Sequence, residues 1–243
     1  MNSTPAMLSL RGVHTHIGAY HILHGVDLDV PRGELTMLLG RNGAGKTTPL
    51  RTSMGLWQAS QGQVLLDGQD ITRLATPAIA QRSIAYVPEN MGIFADLSVK
   101  ENLLLAARQA SHAAQMDEAR LQWIFGLFPA VEKFWNHPAG KLSGGQKQMV
   151  AVARAIVEPR DLLIIDEPSK GLAPAIIQNM IAAFEQLKAA GVTILLVEQN
   201  LAFATRLGDS VAVMDNGRVV HAGRMADLAA DTALQQSLLG LAL

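Results

Sequence analysis

Residues 40–47 read Gly40-Arg41-Asn42-Gly43-Ala44-Gly45-Lys46-Thr47, and this stretch decides the fold. It matches the phosphate-binding pattern G-x-x-x-x-G-K-[ST] at every fixed position. The apolar run at 34–39 before it predicts a buried strand, and the residues at 48–56 after it predict a helix. Because the pattern requires a strand, a glycine-rich loop and a helix in this order, the stretch predicts a nucleotide-binding site.

Each residue type in this loop has a chemical task. Glycines let the backbone curl so that successive N–H groups point at phosphate oxygens, and the helix that follows adds its positive N-terminal end. Lys46 is predicted to reach the β- and γ-phosphates of ATP, and the Thr47 hydroxyl to coordinate Mg²⁺. The predicted nucleotide contacts are therefore residues 40–47 together with Thr48.

The composition of the 243 residues narrows the class of protein. A hydrophobic content of 49% is ample for a packed core. The net charge of −1 argues against a nucleic-acid partner, because such domains are usually strongly basic. The chain contains no cysteine, which excludes disulfides, thiolate metal sites and thiol catalysis.

The sequence also bears on location. Residues 1–5 lack the basic start and apolar stretch of a leader peptide. No run approaches the roughly 18 apolar residues that a membrane-spanning helix needs. We therefore expect a soluble, cytoplasmic protein.

Apolar patterning predicts a single domain over 1–243, with a core of about 1–89 and 158–243 and a helical insert of about 90–157. Residues 7–39 alternate short apolar runs with turns, which predicts antiparallel strands beside the nucleotide. Further strands are predicted at 62–68, 84–87, 162–166 and 192–197, and a hairpin with an Asn-Gly turn at 211–220. Helices are predicted at 98–107, where Ser98 and Glu101 form a capping box, and at 116–128, 144–157, 174–190 and in the tail from residue 224.

Asp166 and Glu167 end the continuously apolar strand at 162–166. An acid at the carboxyl end of a parallel strand points into the crevice where ligands bind in such sheets. Asp166 is predicted to hold Mg²⁺, directly or through water, and Glu167 to orient or deprotonate the attacking water.

A second glycine turn narrows the class further. Leu142 is followed by Ser143, Gly144, Gly145 and Gln146 at the start of a long predicted helix. Free N–H groups and the helix dipole make this turn a second candidate anion site.

Together these motifs resemble the ATP-binding-cassette ATPases, and the resemblance covers essentially the whole chain. It implies an α/β fold: a P-loop NTPase core sheet with an N-terminal antiparallel β subdomain and an inserted α-helical signature subdomain. It also implies that residues 143–146 contact the γ-phosphate bound by the opposite subunit. Two such sites would then be shared between two facing cassettes, and one cassette alone would hydrolyse ATP poorly.

Three positions depart from the family pattern. Glu89 stands where the family usually has a glutamine that touches Mg²⁺ or water and senses the membrane partner. Gln199 stands at the usual histidine facing the γ-phosphate, so this position has lost its titratable group. The aromatic residue that usually stacks on adenine falls at Ile17, with Tyr20 as the nearest alternative, and the sequence leaves this choice open.

The first two departures point to one branch. Val87-Pro88-Glu89, the stretch at 168–174 and the stretch at 197–200 are similar to the ATP-binding subunits of branched-chain (high-affinity) amino acid importers, of the Liv-F type. Importers of urea and short amides use close relatives and remain an alternative. The resemblance implies a second, different cassette subunit, two transmembrane permeases and, indirectly, a solute-binding protein, with this chain peripheral on the cytoplasmic face of the membrane.

The resemblance also implies that a permease helix docks near residues 89–99, where Phe94 and Leu97 are apolar candidates for the contact. Two other functions stay open: a soluble cassette ATPase outside transport, and a cassette that binds ATP without splitting it. The sequence names neither the solute nor whether the dimer is homomeric.

Four histidines, His14, His16, His21 and His24, fall in the first strands. Alternation along a strand predicts that they divide between the two faces of the sheet, without a metal.

Overall fold

The computed structural model describes residues 5–107 and 116–240. Residues 1–4, which belong to the stretch judged for a leader peptide, lie outside the described residues. So do residues 108–115 of the predicted helical insert. The strands are β1 (Ala6–Ile17), β2 (Tyr20–Pro31), β3 (Leu35–Gly40), β4 (Ala59–Leu66), β5 (Gln69–Asp70), β6 (Ile84–Val87), β7 (Leu162–Asp166), β8 (Thr193–Val197), β9 (Ser210–Asp215) and β10 (Arg218–Arg224). The helices are α1 (Thr47–Ser53), α2 (Thr76–Ala80), α3 (Val99–Leu104), α4 (Glu118–Leu127), α5 (Pro129–Lys133), α6 (Gly144–Ala155), α7 (Pro174–Ala189), α8 (Leu201–Leu207), α9 (Met225–Ala230) and α10 (Thr232–Leu239).

A six-stranded sheet forms the core, in the order β10-β9-β3-β8-β7-β6. Its strands are parallel except for β10, which pairs antiparallel with β9. Every residue of β3, β7 and β8 is buried, as expected for strands covered on both faces. The predicted hairpin is confirmed, and both of its turn residues, Asn216 and Gly217, have positive φ as a tight hairpin turn requires.

An antiparallel sheet in the order β2-β1-β4-β5 covers one face of the core sheet. The predicted antiparallel strands are confirmed, but the short runs at 7–31 join into two strands of 12 residues each. The core sheet has a buried apolar cluster on each face, and alternate residues of β3 point into one or the other. Leu38 packs with the antiparallel sheet, whereas Met37 and Leu39 pack with the helices on the other face. This sandwich places the loop after β3 at the edge between the two sheets.

The helical part between β6 and β7 contains α3, α4, α5 and α6. The capping box that begins α3 is confirmed, because Ser98 and Glu101 each bond the other's backbone N–H. Helix α3 ends at Leu104, three residues before the predicted end, and Pro129 begins α5 because the first turn of a helix tolerates a missing N–H. Within the two described ranges, none of the helices has both the length and the apolar character needed to cross a membrane.

The four histidines of β1 and β2 lie together, so the prediction that they divide between faces is wrong. His14 pairs with His24 and His16 pairs with His21, although His14 and His16 are two residues apart whereas His21 and His24 are three residues apart. A bulge at Ile22, between His21 and Leu23, absorbs the extra residue and returns His21 to the face of His24. The ring of His21 stacks on His16 at 4.2 Å between centroids and lies 4.1 Å from that of His24. Among the described residues, no group of three or more His, Cys, Asp or Glu side chains has a geometry suited to a metal ion.

We expect this histidine cluster to make the fold less stable in mild acid. The pKa of His24 is lowered from 6.5, first by burial and then by positive charge on His21, Arg218, His14 and His16. The unfolded chain therefore takes up a proton more readily than the folded one, and stability declines as the pH falls below about 6.5.

His21→Gln removes the central ring and is expected to reduce this acid-induced loss. Thermal unfolding at pH 7.5 and 5.5 measures it, with His137→Gln, which lies outside the cluster, as the matched control. An equal loss of stability in His21→Gln and in the wild-type chain would contradict the prediction.

Candidate nucleotide site

The loop after β3 lines a cleft of about 280 Å³ at the carboxyl ends of the core strands. Loops after β6, β7 and β8 complete the wall. The lining residues are Asn42, Gly43, Gly45, Lys46, Thr47, Thr48, Glu89, Glu167, Lys170 and Gln199. The structure thus brings together residues from four segments of the chain, because parallel strands deliver their carboxyl ends to one edge of the sheet.

Two predicted loop residues border a second, smaller pocket. Gly40 and Arg41 line it together with Glu198, Gln199 and Leu239. Gly40 has no room for a side chain, because a Cβ there would lie 2.3 Å from the carbonyl oxygen of Met214. Ala44, which was also predicted to contact nucleotide, packs in the apolar core beneath the loop, so only its backbone is available. Because Gly40 has no side chain, the backbone at the start of the loop can pack directly against the neighbouring strand β9.

Lys46 is buried at the start of α1 and bends back over the loop. Its Nζ donates to the carbonyl oxygens of Gly40 at 2.9 Å and Arg41 at 3.0 Å, and lies 4.0 Å from Glu167 Oε1. Burial lowers the pKa of Lys46, and the negative charges of Glu167 and Asp166 act in the opposite direction. A buried ammonium whose hydrogen bonds go only to carbonyl oxygens is well suited to bind an incoming phosphate oxygen.

Asp166 ends β7 and is 1% exposed. Neither of its carboxylate oxygens has a hydrogen-bond partner of normal geometry among the described residues. Burial raises the pKa of Asp166 to about 6, the charges of Glu167 and Glu89 act in the same direction, and the nearby Thr47 hydroxyl and Arg51 lower it. A buried carboxylate whose only nearby polar partner is a weakly placed hydroxyl is costly for a fold, and its free oxygens are suited to hold a bound cation.

Glu167 follows directly, with a positive φ of 49° that side chains rarely adopt. Its Oε1 accepts a hydrogen bond from Gln199 Nε2, and its Oε2 lies 3.1 Å from Lys170 Nζ. The side chain is 10% exposed and faces the cleft. Gln199, which is predicted to face the γ-phosphate, lines the same cleft and donates to Glu167, and the positive φ of Glu167 is a backbone conformation that is common at functional sites.

Two charged residues of this site, Lys170 and Glu198, are not among the residues predicted to bind nucleotide, metal or the attacking water. Lys170 donates to Glu89 Oε1 at 2.6 Å as well as contacting Glu167. Glu198 is buried after β8 and accepts backbone N–H bonds from Ser169, Gln199 and Asn200 at 2.9 to 3.2 Å. The sequence signal for Glu198 is an acid directly after four apolar residues, the same signal that identified Asp166. Through these hydrogen bonds, Glu198 joins the loop after β7 to the loop after β8.

The second glycine turn is built as predicted but does not line this cleft. Ser143 and Gln146 form a capping box at the start of α6, and Ser143 and Gly144 are exposed. A Cβ on Gly145 would lie 2.8 Å from Ile176 Cγ2, whereas one on Gly144 would meet nothing within 4 Å. Gly145 therefore serves the packing of α6 on α7, and Gly144 is open to another molecule.

Gly145→Ala is expected to destabilise the fold, because the added methyl group overpacks the contact with Ile176. We expect a loss of about 1 to 3 kcal/mol, or roughly 2–4 °C of melting temperature for each kcal/mol in a chain of this size. Thermal unfolding measures it, with Gly144→Ala as the matched control that should keep the wild-type melting temperature. Equal melting temperatures for the two variants would refute the packing argument.

The two candidates for adenine stacking lie at the tip of the β1–β2 hairpin. Ile17 pairs with Tyr20 across the turn, and Tyr20 is 75% exposed. Neither side chain lines the cleft of the phosphate loop. The choice between them remains a prediction.

Comparison with known proteins identifies the family of this chain. The model of the family described as "ABC transporter" matches residues 23–170. The high-affinity branched-chain amino acid transport ATP-binding protein BraG of Pseudomonas aeruginosa is 39% identical over 237 residues, which is 96% of this chain and 100% of that protein. The probable branched-chain amino acid transport ATP-binding protein LivF of Archaeoglobus fulgidus is 35% identical and covers 91% of this chain and 93% of its own length.

A solved structure is similar over the same length. An ATP-binding cassette of an ABC transporter, determined in its ADP conformation, superposes with a TM-score of 0.81 at 25% identity. The match covers 96% of this chain and 98% of that one. Since the family model spans more than half of the sequence and the fold matches that of a solved ATP-binding cassette, this chain belongs to the ABC transporter family as an ATP-hydrolysing subunit.

Proposed function

We propose that this chain is the ATPase subunit of an importer for branched-chain or other amino acids. The ATPase role is supported by one observation: Lys46 and Glu167 meet in the cleft of the phosphate loop, with the charge of the buried Asp166 acting on Lys46 from beneath the cleft wall. The amino acid part is supported by the printed functions of BraG and LivF, the relatives described above. An importer of urea or short amides is the alternative substrate class.

The residues present fit a bound Mg²⁺. The unpartnered, buried carboxylate of Asp166 and the neighbouring Thr47 hydroxyl are oxygen donors of the kind that Mg²⁺ prefers. Glu89 on the cleft wall is the third proposed ligand. The chemistry that bound Mg²⁺ supplies is neutralisation of charge on the phosphate oxygens.

The chain's own residues carry the rest of the reaction. The loop N–H groups at 42–48 bind the phosphates, and Lys46 turns from the loop carbonyls to the β- and γ-phosphate oxygens. Glu167 orients the attacking water and accepts its proton, while Gln199 holds Oε1 of Glu167 and can donate to the γ-phosphate. Because Gln199 cannot carry a proton, no titration near pH 6.5 is expected from this position.

We propose that a second cassette completes the site. Ser143, Gly144, Gly145 and Gln146 lie outside the cleft of their own chain, and the exposed N-terminus of α6 is suited to bind the γ-phosphate held by a partner. Closure of the dimer on ATP, and its reopening after hydrolysis, would move two permeases fed by a solute-binding protein. The partner cassette is proposed to be a different chain.

The permease contact is proposed at residues 89–99, on the cytoplasmic face of the membrane. Phe94 is 53% exposed and lies beside Arg154, whose guanidinium is 5.6 Å from the ring centroid, while Leu97 is half-buried. Phe94 is therefore the better-exposed candidate for the membrane partner.

Reconstitution tests this function directly. The full chain is assembled with the second cassette and two permeases in vesicles, and ATP-dependent uptake of labelled leucine and labelled urea is measured in the presence of the solute-binding protein. We expect leucine uptake that requires ATP. Uptake of urea alone would overturn the amino acid assignment, and co-purification with ribosomes or DNA in place of the permeases would overturn transport altogether.

A further inference from the structure

We propose that Lys170 is a positioning residue that holds Glu167 in its working orientation and ties it to Glu89. This inference rests on the proposed role of Glu167. Its basis is a three-residue contact: Lys170 Nζ lies 2.6 Å from Glu89 Oε1 and 3.1 Å from Glu167 Oε2. The two carboxylates come from loops after different strands, β6 and β7, so the lysine joins two segments that are distant in sequence.

The contacts of Glu167 show why it needs this partner. Its Oε1 is held by Gln199, and Lys46 Nζ lies 4.0 Å from the same atom while donating to two loop carbonyls. Oε2 has its ammonium contact with Lys170. A carboxylate on a bond that can rotate keeps one orientation only when both oxygens are held, so Lys170 supplies the second point of attachment.

The backbone places Lys170 for this task. Glu198 accepts the N–H of Ser169 at 2.9 Å, and the N–H of Lys170 donates to the carbonyl oxygen of Glu167 at 3.3 Å. These two hydrogen bonds fix the turn after Glu167. The side chain of Lys170, three residues further on, thereby returns to the Glu167 carboxylate.

Burial indicates that the contact serves orientation more than folding. Glu167 is 10% exposed, whereas Lys170 is 60% and Glu89 44% exposed. Exposed ion pairs contribute little to stability. Removing the lysine should therefore leave the fold intact and release Glu167 inside the cleft, and any movement of Glu89 should be transmitted to Glu167 through the shared ammonium.

The test compares Lys170→Met, which removes the charge, with Lys170→Arg, which keeps it. ATP turnover of the assembled full chain is expected to fall roughly 10- to 100-fold in Lys170→Met with little change in KM, because a misplaced catalytic group slows the chemical step. Lys170→Arg should recover most of the rate. Arg206→Met is the matched control, since Arg206 forms an ion pair with Glu185 at 3.1 Å and similar exposure, remote from the cleft.

A second measurement does not depend on turnover. Hydrogen exchange of the backbone at 88–92 and 167–172 should be faster in Lys170→Met than in the wild-type chain and should return to the wild-type rate in Lys170→Arg. Unchanged exchange in Lys170→Met, or equal rates of turnover in Lys170→Met and wild type, overturns the proposal. So does failure of Lys170→Arg to recover the rate.

Double variants separate this inference from the proposed function. If Lys170 acts through Glu167, then adding Lys170→Met to Glu167→Gln should cause no further loss of turnover. A multiplied loss would show that Lys170 acts elsewhere. Normal turnover in Glu167→Gln would instead overturn the proposed function, whereas collapse in Glu167→Gln with normal turnover in Lys170→Met would overturn only the role of Lys170.

Discussion

Glu167→Gln is expected to lower ATP turnover at least about 100-fold, the usual contribution of a positioned general base. Glutamine keeps the shape of the side chain but cannot accept a proton from water. ATP binding should survive, because the contacts assigned to the phosphates come from the loop and Lys46. Phosphate release by the assembled full chain measures turnover, and a fluorescent ATP analogue measures binding.

The fold should tolerate this change. Glu167 raises the pKa of the neighbouring Asp166, so a neutral side chain at 167 relieves repulsion between two adjacent acids. The matched control is Glu185→Gln, which removes a carboxylate from the exposed pair with Arg206 and should turn over at the wild-type rate. Wild-type turnover in Glu167→Gln would remove Glu167 from its assigned role.

Lys46→Met is expected to weaken ATP binding by about 10- to 100-fold. A hydrogen bond to a charged group contributes about 1.5–3 kcal/mol, and every 1.4 kcal/mol is tenfold in affinity. Lys46 is 5% exposed, so its ammonium acts where water screens it weakly. Titration with a fluorescent ATP analogue measures the loss on the full chain alone.

Lys133→Met provides the comparison for this variant. Lys133 ends α5, is exposed and does not line the cleft, so its removal changes the net charge equally without touching the phosphate loop. Its affinity for ATP should equal that of the wild-type chain. Equal losses in the two variants would mean that net charge, and not the position of Lys46, governs binding.

Local sequence was sufficient for most of the fold. The buried strands β3, β7 and β8 are continuous apolar runs, and the Asn216-Gly217 turn and the Ser98 capping box are local motifs whose hydrogen bonds involve neighbouring residues. One part that differs involves cooperation at longer range. The runs of β1 and β2 join into long strands because pairing across the sheet extends them beyond their own patterns, whereas nothing in the structure explains the early end of α3.

The residue types of the site were determined by the sequence, because a phosphate loop and an acid pair at a strand end are local patterns with defined chemistry. Their mutual contacts were decided only by the tertiary structure. The contact of Lys170 with both Glu89 and Glu167, and the assembly of four histidines by one bulge, depend on how separate segments pack. Charge pairing and strand register act across distances in sequence that no local pattern records, and only the folded sheet brings those groups within a few ångströms.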